Sequence, residues 1–512
     1  AQIGLPFLPI YTDLQFKFNI EPTQKDRISI VGIGAIDDFA LNLDANETPS
    51  QRYILNYLPV NEQYNYTRGL KYTRFHENSY TNLIFSRNKL NNRSFKYENN
   101  DDSNEDNKIL DYISQEVENR IRIENVMQKN GFKLTTGLSY EYDVYTNETY
   151  NRLSTRGGVI TIDFDSRLDL HQYGAFAQLS KKVLDNRLLL SLGTRIDGSN
   201  YSEQTNNPLE QFAPRFSASY AVTKNFRINF NTGQYFQLPP YTILGYRNAE
   251  NQLVNKQNEI TYIRNRHLVS GVEFTTKTNT RFSIEGFYKK YDNYPFLLND
   301  SVSLANLGSD FGVVGNEPAN STSEGRSFGL EFLIQQKLYK GFYGIMSYTI
   351  LKSEFTDKSG DYKPSAWDNR HFLSLTAGKK FKKNWEVGAR WWFVTGGPYT
   401  PFDLERSATK AVWDVTGRGL PNYDRINERR LSNFNQLDLR VDKKYYFDKW
   451  SLNVYFDIQN VYGSSQAGQP FVDVVRDDLG NPVSANQFQY QLTTLENNLG
   501  TTIPSIGIIA EF

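Results

Sequence analysis

The amino-acid sequence predicts an all-β fold, a transmembrane antiparallel β-barrel, on three observations. Short turns and long loops alternate along the chain, apolar and polar residues alternate within the strand segments, and aromatic residues collect at strand ends. A wall that meets lipid on one face and water on the other is expected to show all three. The mean hydropathy of −0.59 does not oppose this, because alternating faces average out.

The connections are of two kinds, which alternate from Leu14 onward. The tight turns are rich in Asn, Asp and Gly, which tolerate the backbone angles of tight turns; they are 21–26, 75–78, 128–131, 184–186, 223–225, 277–279, 339–341, 381–384 and 447–449. The long polar loops are 46–61, 91–108, 147–166, 201–209, 237–259, 294–320, 357–367, 398–432 and 463–502. A barrel with short periplasmic turns and large outer loops keeps this order, whereas a soluble β-sandwich has no reason to.

Within the strands, residues two apart share a face. One face of the segment 449–460 is apolar and consists of Trp450, Leu452, Val454, Phe456 and Ile458. In the segment 116–124, apolar residues alternate with the charged set Glu116, Glu118, Arg120, Arg122 and Glu124. Because an Arg or Lys facing lipid at mid-bilayer costs about 2 to 4 kcal/mol, these charges are predicted to face a polar lumen.

Aromatic residues make up 14% of the chain, enough for a girdle at each membrane interface. The predicted inner girdle lies beside the short turns and includes Tyr339, Phe342, Tyr343, Phe381, Trp385, Tyr445, Tyr446, Phe447 and Trp450. The predicted outer set is Tyr291, Tyr294, Trp391, Trp392, Phe393 and Tyr462.

Composition excludes several other classes. No apolar run approaches the roughly 20 residues of a membrane-spanning helix. Residues 1–9 lack a basic segment followed by an apolar one, so any signal peptide has been removed or lies outside this sequence. There is no cysteine, as suits an exported protein, and Lys+Arg 57 balance Asp+Glu 57, so nothing indicates a nucleic-acid partner.

The predicted strands number roughly nineteen, although single-chain bacterial barrels have an even number. Counting back from the last strand, 503–512, places the start of the first strand on the outer side. At least one strand is therefore expected before residue 1.

Several segments resemble one family. The terminal PSIGIIAEF (504–512) is similar to an outer-membrane assembly signal ending in an aromatic residue, here Phe512. The segments FAPRFSASY (212–220), FRINF (226–230) and GQYF (233–236) resemble a mid-barrel hairpin of TonB-dependent outer-membrane transporters. GRSFGLEF (325–332), NQLDLR (435–440) and VYFDIQNV (454–461) resemble later strands of that family.

The resemblance implies a barrel of about 22 strands that follows an N-terminal plug domain. Residues 1–512 would then be one barrel domain, N-terminally incomplete, with the plug, a TonB-contacting segment and about three strands missing. It implies a Gram-negative outer membrane, surrounding lipid, and a TonB-type energy-coupling protein acting through the missing region.

No catalytic motif, cofactor site or metal site is predicted. The sequence lacks a Gly-x-Ser-x-Gly elbow, a phosphate loop and a dinucleotide fingerprint. His76, His171, His267 and His371 have no metal-ligand spacing, and the acidic loop 99–106 lacks the glycine-punctuated order of a calcium loop. We expect a protein that is not an enzyme.

Ligand contacts are expected from aromatic and Arg residues on outer loops, because rings and guanidinium groups bind with little entropy cost. The candidates are Tyr235, Tyr241, Arg247, Tyr399, Arg406, Trp413 and Arg418. The leading hypothesis is an importer of a scarce solute: siderophore, vitamin, oligosaccharide or peptide. The runner-up is a binding or structural subunit of a larger outer-membrane complex in which transport is vestigial, and the third class is a passive porin or a barrel enzyme. A surface lipoprotein or another outer-membrane protein is a further candidate partner.

Overall fold

The computed structural model describes residues 6–155, 158–308, 315 and 317–512. Among these residues, one antiparallel sheet contains 21 strands. Two of them are short segments, Val302–Ser303 and Tyr362–Pro364, which pair at the outer ends of longer strands. The other nineteen follow one another in chain order and form the wall, which confirms the predicted all-β class and strand number.

The nineteen wall strands are β1 Phe7–Thr23, β2 Asp26–Leu41, β3 Val60–Phe75, β4 Ser79–Tyr97, β5 Lys108–Lys129, β6 Phe132–Thr155, β7 Gly158–Val183, β8 Leu188–Ser199, β9 Ala213–Ala221, β10 Phe226–Gln237, β11 Ile263–Thr275, β12 Thr280–Leu297, β13 Ala319–Tyr339, β14 Phe342–Thr356, β15 His371–Lys380, β16 Trp385–Val394, β17 Phe434–Tyr446, β18 Ser451–Gln459 and β19 Ile503–Glu511. The outer connections carry short helices: α1 Pro49–Tyr57, α2 Glu203–Asn206, α3 Tyr241–Leu244, α4 Val254–Gln257, α5 Leu304–Leu307, α6 Leu404–Ala408 and α7 Lys410–Thr416. No helix in the described part of the chain is long and apolar enough to cross a membrane.

The short turns lie at one end of the wall, as the sequence predicts. Between β13 and β14 the turn is Lys340-Gly341, with φ of 50° and 81°. Both values lie in the left-handed region that glycine adopts most readily, and that two-residue hairpins of this kind require. A Cβ at Gly341 would also lie 2.6 Å from the Lys380 carbonyl oxygen, so the next hairpin packs closely against this turn.

The long connections lie at the other end, but the predicted loop 147–166 is wrong. Its described residues instead continue β6 and β7 as a hairpin that projects beyond the apolar part of the wall, with Asn147 opposite Ser166 and Asn151 opposite Ile162. Residues 91–97 are likewise strand rather than loop. The polar composition of both segments predicts loops. A ladder in water needs no apolar face, only β-compatible side chains and paired backbone groups.

Cross-strand register shows that the wall has two distinct faces. Leu70 lies opposite Phe85, Phe85 opposite Ile121, and Ile121 opposite Tyr140, and all four are exposed. Residues directly opposite share a face. This exposed apolar row therefore belongs to the lipid-facing surface, and the alternate positions face the interior.

The predicted aromatic girdles are partly internal. Tyr339, Phe342, Phe381 and Trp385 are exposed at the turn end of the wall. Tyr343, however, donates to Glu386 Oε1 at 2.5 Å. Three aromatic residues of the predicted outer set also pack within the protein. Tyr291 and Tyr294 contact Phe355, and Trp392 contacts Phe434.

The two ends of the strand ladder each have one neighbour. Within the described ranges, β1 pairs only with β2, and β19 pairs only with β18. Both edge strands expose apolar side chains, including Leu14 and Phe18 on β1 and Ile506 and Ile508 on β19.

Candidate functional site

The charges of β5 lie on the interior face, where they form a ladder with neighbouring strands. Arg120 Nε and Nη2 donate to the two carboxylate oxygens of Glu141 at 2.6 and 2.5 Å. Arg122 pairs with Glu124 at 2.6 Å. Such bidentate and charge-assisted contacts fix the orientation of each side chain, so this part of the lumen is polar and ordered.

Glu118 and Glu116 extend the ladder towards the outer mouth. Glu118 accepts one hydrogen bond from Asn88 Nδ2 at 3.0 Å and another from the Tyr241 hydroxyl at 3.4 Å. Glu116 follows on the same face, opposite Leu90 and Tyr145, and is half-buried. The Tyr241 contact is the first sign that an outer loop folds into the barrel.

A hydrophobic core fills the mouth above this ladder. It joins side chains of the wall to side chains of four outer connections, and its buried members are Tyr145, Leu168, Leu170, Tyr201, Ile243, Leu244, Ile260, Leu297, Val302, Leu304, Ala319 and Ile426. We call this group the mouth core. Gly245 allows the close approach, because a Cβ there would lie 2.7 Å from the Tyr145 ring. Removing these side chains from water holds the loops in place.

Buried polar side chains pair with backbone groups inside the mouth core. The Tyr201 hydroxyl donates to the Leu244 carbonyl at 2.9 Å. Asn255 donates to the Ile243 carbonyl at 2.7 Å and accepts from the Ala319 N–H at 2.7 Å. Because backbone groups of buried loops must be paired, these side chains allow irregular backbone to lie inside the barrel.

A second, smaller core joins the last two long connections. Trp413 is 4% exposed and packs with Val472 and Val474, against partly buried Phe402 and Tyr490. The helix α1 from the first long connection meets this region, since Tyr53 stacks on Phe471 with centroids 4.6 Å apart. The outer loops therefore contact one another across the mouth.

A buried carboxylate ties the connection 357–370 to the connection 395–433. The Asp368 side chain is fully buried. Its Oδ1 accepts the Ser353 N–H at 2.7 Å, and its Oδ2 accepts Arg370 Nε at 2.7 Å and also Arg430 Nη2. Arg430 Nη1 donates to the Asp368 carbonyl at 2.7 Å. No sequence motif marked this group.

The predicted ligand-binding residues are dispersed. Tyr241 and Trp413 belong to packed cores rather than to an accessible loop surface, and burial raises the pKa of the Tyr241 hydroxyl well above its usual range. Arg247 donates to the Asn251 carbonyl at 2.8 Å within its own loop. Three more lie in the connection 395–433. Tyr399 and Arg406 are half-buried there, and the Arg418 guanidinium is exposed, 5.2 Å from the centroid of the Tyr57 ring.

Tyr235 lies in β10, not in an outer loop, and its side chain belongs to an interior cluster. The Arg215 guanidinium lies 4.3 Å from the centroid of the Tyr235 ring, and the His267 ring lies 4.5 Å from it. Lys289 is opposite His267 in the next strand. The sequence contains these residues on four strands, and only the register brings them together.

The described residues contain no group of three or more His, Cys, Asp or Glu side chains placed to hold a metal ion. His171 and His371 instead hydrogen-bond through Nδ1 to the hydroxyls of Tyr140 and Tyr348, at 2.7 and 2.9 Å.

The environment of Glu317 predicts that the stability of the loop between β12 and β13 depends on pH. Its Oε2 accepts the N–H groups of Asn299 and Asp300 at 3.1 and 3.3 Å. Burial, and next the nearby Asp300 carboxylate, raise the pKa of Glu317 to about 7. The folded loop thus favours the protonated acid more than the unfolded chain does. The stabilisation is complete below about pH 4.5 and is lost as the pH rises through about 7.

We therefore expect the Asn299 and Asp300 amides to lose protection against hydrogen exchange as the pH rises from about 5 to about 8. After correction for intrinsic rates, their free energy of opening should fall by up to about 3 kcal/mol. The Glu317→Gln variant should show nearly constant protection over the same range. Equal pH dependence in both proteins would contradict the assignment.

Phe512 ends the chain beside β19, fully exposed, with its ring centroid 6.2 Å from that of Trp450. Since it packs against little else, its removal should barely affect the folded wall. We expect deletion of Phe512 to lower the outer-membrane abundance of the protein severalfold, while Phe512→Tyr retains it. Quantitative immunoblotting of outer-membrane fractions measures this, and normal abundance after deletion would contradict an assembly role.

A meander of long strands, a charged lumen and folded outer loops define a transmembrane β-barrel. Residues 11–461 match the family model described as TonB dependent receptor-like, beta-barrel. The chain therefore belongs to the TonB-dependent receptor β-barrel family, whose members reside in the outer membrane.

Solved structures share the fold at low sequence identity. FpvA of Pseudomonas aeruginosa, bound to pyoverdines, aligns with a TM-score of 0.64 and 15% identity, covering 99% of this chain and 65% of that one. The copper transporter OprC gives 0.63 and 11%, covering 98% and 73%. The ferric citrate transporter FecA gives 0.62 and 11%, covering 99% and 71%. The chain thus spans about two thirds of these structures. No curated protein sequence matches it.

Proposed function

We propose that this chain forms the wall and outer mouth of an importer that takes up a scarce solute through the outer membrane, energised by a TonB-type protein. The observation that carries the proposal is the mouth core with its link to the lumen, where Tyr241 of an outer loop reaches Glu118 of the wall. A passive porin needs an open aqueous channel. Loops folded into the mouth instead suit a gate that must be moved to admit cargo.

We further propose that about three wall strands and a plug domain precede residue 1. Two observations support this: each edge strand has one partner within the described ranges, and the wall has nineteen long strands, against about 22 in plugged outer-membrane transporters. Three strands before β1 would pair both edges. A plug would face the interior charges of β5.

The cargo surface would be the outer side of the connection 395–433. Arg418, Arg406 and Tyr399 remain at least partly accessible there, while Trp413 of the same connection is buried against Val472 and Val474. An exposed guanidinium beside an aromatic ring suits an anionic or hydroxylated solute, which fits a metal chelate or an oligosaccharide. FpvA, solved with pyoverdines bound, and the ferric citrate transporter FecA have the same fold.

Growth on the solute tests the function. In the native host, with the full-length gene intact, candidate solutes are supplied as the sole source of iron, vitamin or carbon. The importer account expects growth that requires both this gene and TonB. Growth that requires this gene but survives TonB removal would indicate passive diffusion and would overturn the proposal.

A further inference from the structure

Charged side chains surround the lipid-facing surface just beyond the apolar rows, on the side of the outer loops. Their outward direction follows from the register, since they alternate with interior residues and share a strand face with exposed apolar residues such as Leu179, Leu268 and Leu330. On β7 and on β11–β14 these charges pair within the chain: Arg167–Asp169 at 2.8 Å, Arg264–Asp292 at 3.2 Å, Arg266–Asp292 at 2.8 Å, Lys290–Glu324 at 3.1 Å, Arg326–Glu354 at 2.8 Å and Lys352–Glu354 at 2.5 Å.

The outward cations of β3 and β4 are arranged differently. Arg68 lies directly opposite Arg87, and Lys89 follows on the same face opposite Tyr66. We call these three cations the basic patch. Within the described ranges, none of the three forms an ion pair with a carboxylate. Farther along β4 towards the outer loops, Arg93 on the same face pairs with Glu62 at 3.4 Å.

Neutral groups orient the basic patch. Arg87 donates to the Tyr66 hydroxyl at 3.2 Å and to Asn119 Oδ1 at 2.7 Å. Arg68 lies 4.5 Å from the centroid of the Tyr66 ring, and Lys89 lies 5.3 Å from that of Tyr64. These contacts hold the cations together on one face but do not neutralise them. Like charges directly opposite on neighbouring strands destabilise a sheet, so the arrangement lacks an anion.

We propose that the basic patch binds the phosphate groups of a phosphorylated glycolipid in the outer leaflet. Two adjacent guanidinium groups match phosphate oxygens through paired hydrogen bonds, and Lys89 adds a third positive charge. This lipid site is separate from the cargo surface and does not depend on the proposed import.

The position of the basic patch favours a lipid over a soluble anion. Arg68 and Arg87 lie one register step beyond Leu70 and Phe85, which are exposed apolar residues of the lipid-facing row. The patch therefore lies where the hydrocarbon region gives way to headgroups. Tyr64 and Tyr66 add the aromatic rings typical of that boundary. A solute held by the loops over the mouth would not reach this outer face.

The test uses the full-length protein in phosphatidylcholine vesicles that contain lipopolysaccharide, either intact or enzymatically stripped of its phosphates. Retained lipopolysaccharide per barrel is measured by native mass spectrometry after extraction. The patch variant carries Arg68→Gln, Arg87→Gln and Lys89→Gln. The control variant loses the same charge at outward positions on the periplasmic end of the wall: Lys181→Gln, Lys379→Gln and Lys443→Gln.

We expect the wild type and the control to retain intact lipopolysaccharide equally. Each neutralised patch cation should lower the affinity about fivefold, and all three together roughly a hundredfold. Stripping the phosphates should weaken wild-type binding to a similar degree. Equal retention by a folded patch variant would overturn the proposal, and so would equal wild-type binding of the stripped lipid. If the patch variant does not fold, the comparison of intact with stripped lipopolysaccharide on the wild type still tests whether binding requires the phosphates.

Discussion

Replacing Asp368 with Ala should lower the free energy of unfolding by about 3 to 5 kcal/mol, the usual cost of breaking a buried ion pair from one side. The substitution leaves Arg370 and Arg430 without their carboxylate and removes the acceptor of the Ser353 N–H. The two connections that this group joins should then separate, and the mouth loops should exchange amide hydrogens faster. Urea titration of the protein in lipid vesicles, with hydrogen exchange of the loops, measures both effects.

The chain offers a matched control for this prediction. Lys358 and Asp424 join the same two connections, but their side chains are 55% and 60% exposed. Exposed pairs contribute at most about 1 kcal/mol because water and salt screen them. Lys358→Gln should therefore leave stability nearly unchanged. Equal losses in the two variants would show that burial is not what makes the Asp368 group strong.

Placing a charge on the lipid-facing row should have a comparable effect. Ile123 lies opposite Leu83 in β4 and Leu138 in β6, in the exposed apolar row. We expect Ile123→Arg to lower the free energy of unfolding by about 2 to 4 kcal/mol, because the guanidinium would have to be buried in hydrocarbon. Urea titration in vesicles checks this value.

The control for Ile123→Arg is Leu90→Arg on the interior face. Leu90 lies opposite Glu116, so the new guanidinium would meet an acidic lumen rather than lipid. We expect a change of under about 1 kcal/mol. Similar losses at both positions would mean that the two faces do not differ in their solvent.

Much of the wall could be predicted from the sequence because the signals are local. A turn such as Lys340-Gly341 depends on the residues within it, and the alternation of Ile121 and Ile123 with Arg120 and Arg122 is visible without a fold. The extended hairpin of β6 and β7 was missed for a related reason. A polar composition indicates contact with water, but it does not distinguish a loop from a strand that projects into water.

The mouth could not be predicted, because its contacts join residues far apart in the chain. Tyr241 and Glu118 are separated by 123 positions, and Asn427 reaches the carbonyl of Asn306 across 121. Residue type alone named Tyr241 and Trp413 as ligand contacts on outer loops, whereas the fold buries Trp413 and packs the partly buried Tyr241 against the mouth core. An aromatic residue in a long loop is expected to pack against something, but only the tertiary structure shows whether its partner is a ligand or another part of the protein.

The central claim is that successive residues of a wall strand meet different solvents, and single-cysteine labelling tests it directly because the chain contains no cysteine. Fluorophores are attached in separate proteins at positions 120, 121, 122 and 123 of β5, and quenching by nitroxides on lipid chains is measured in vesicles. The account predicts strong quenching at 121 and 123 and weak quenching at 120 and 122. Uniform quenching along the four positions, or the opposite alternation, would contradict it.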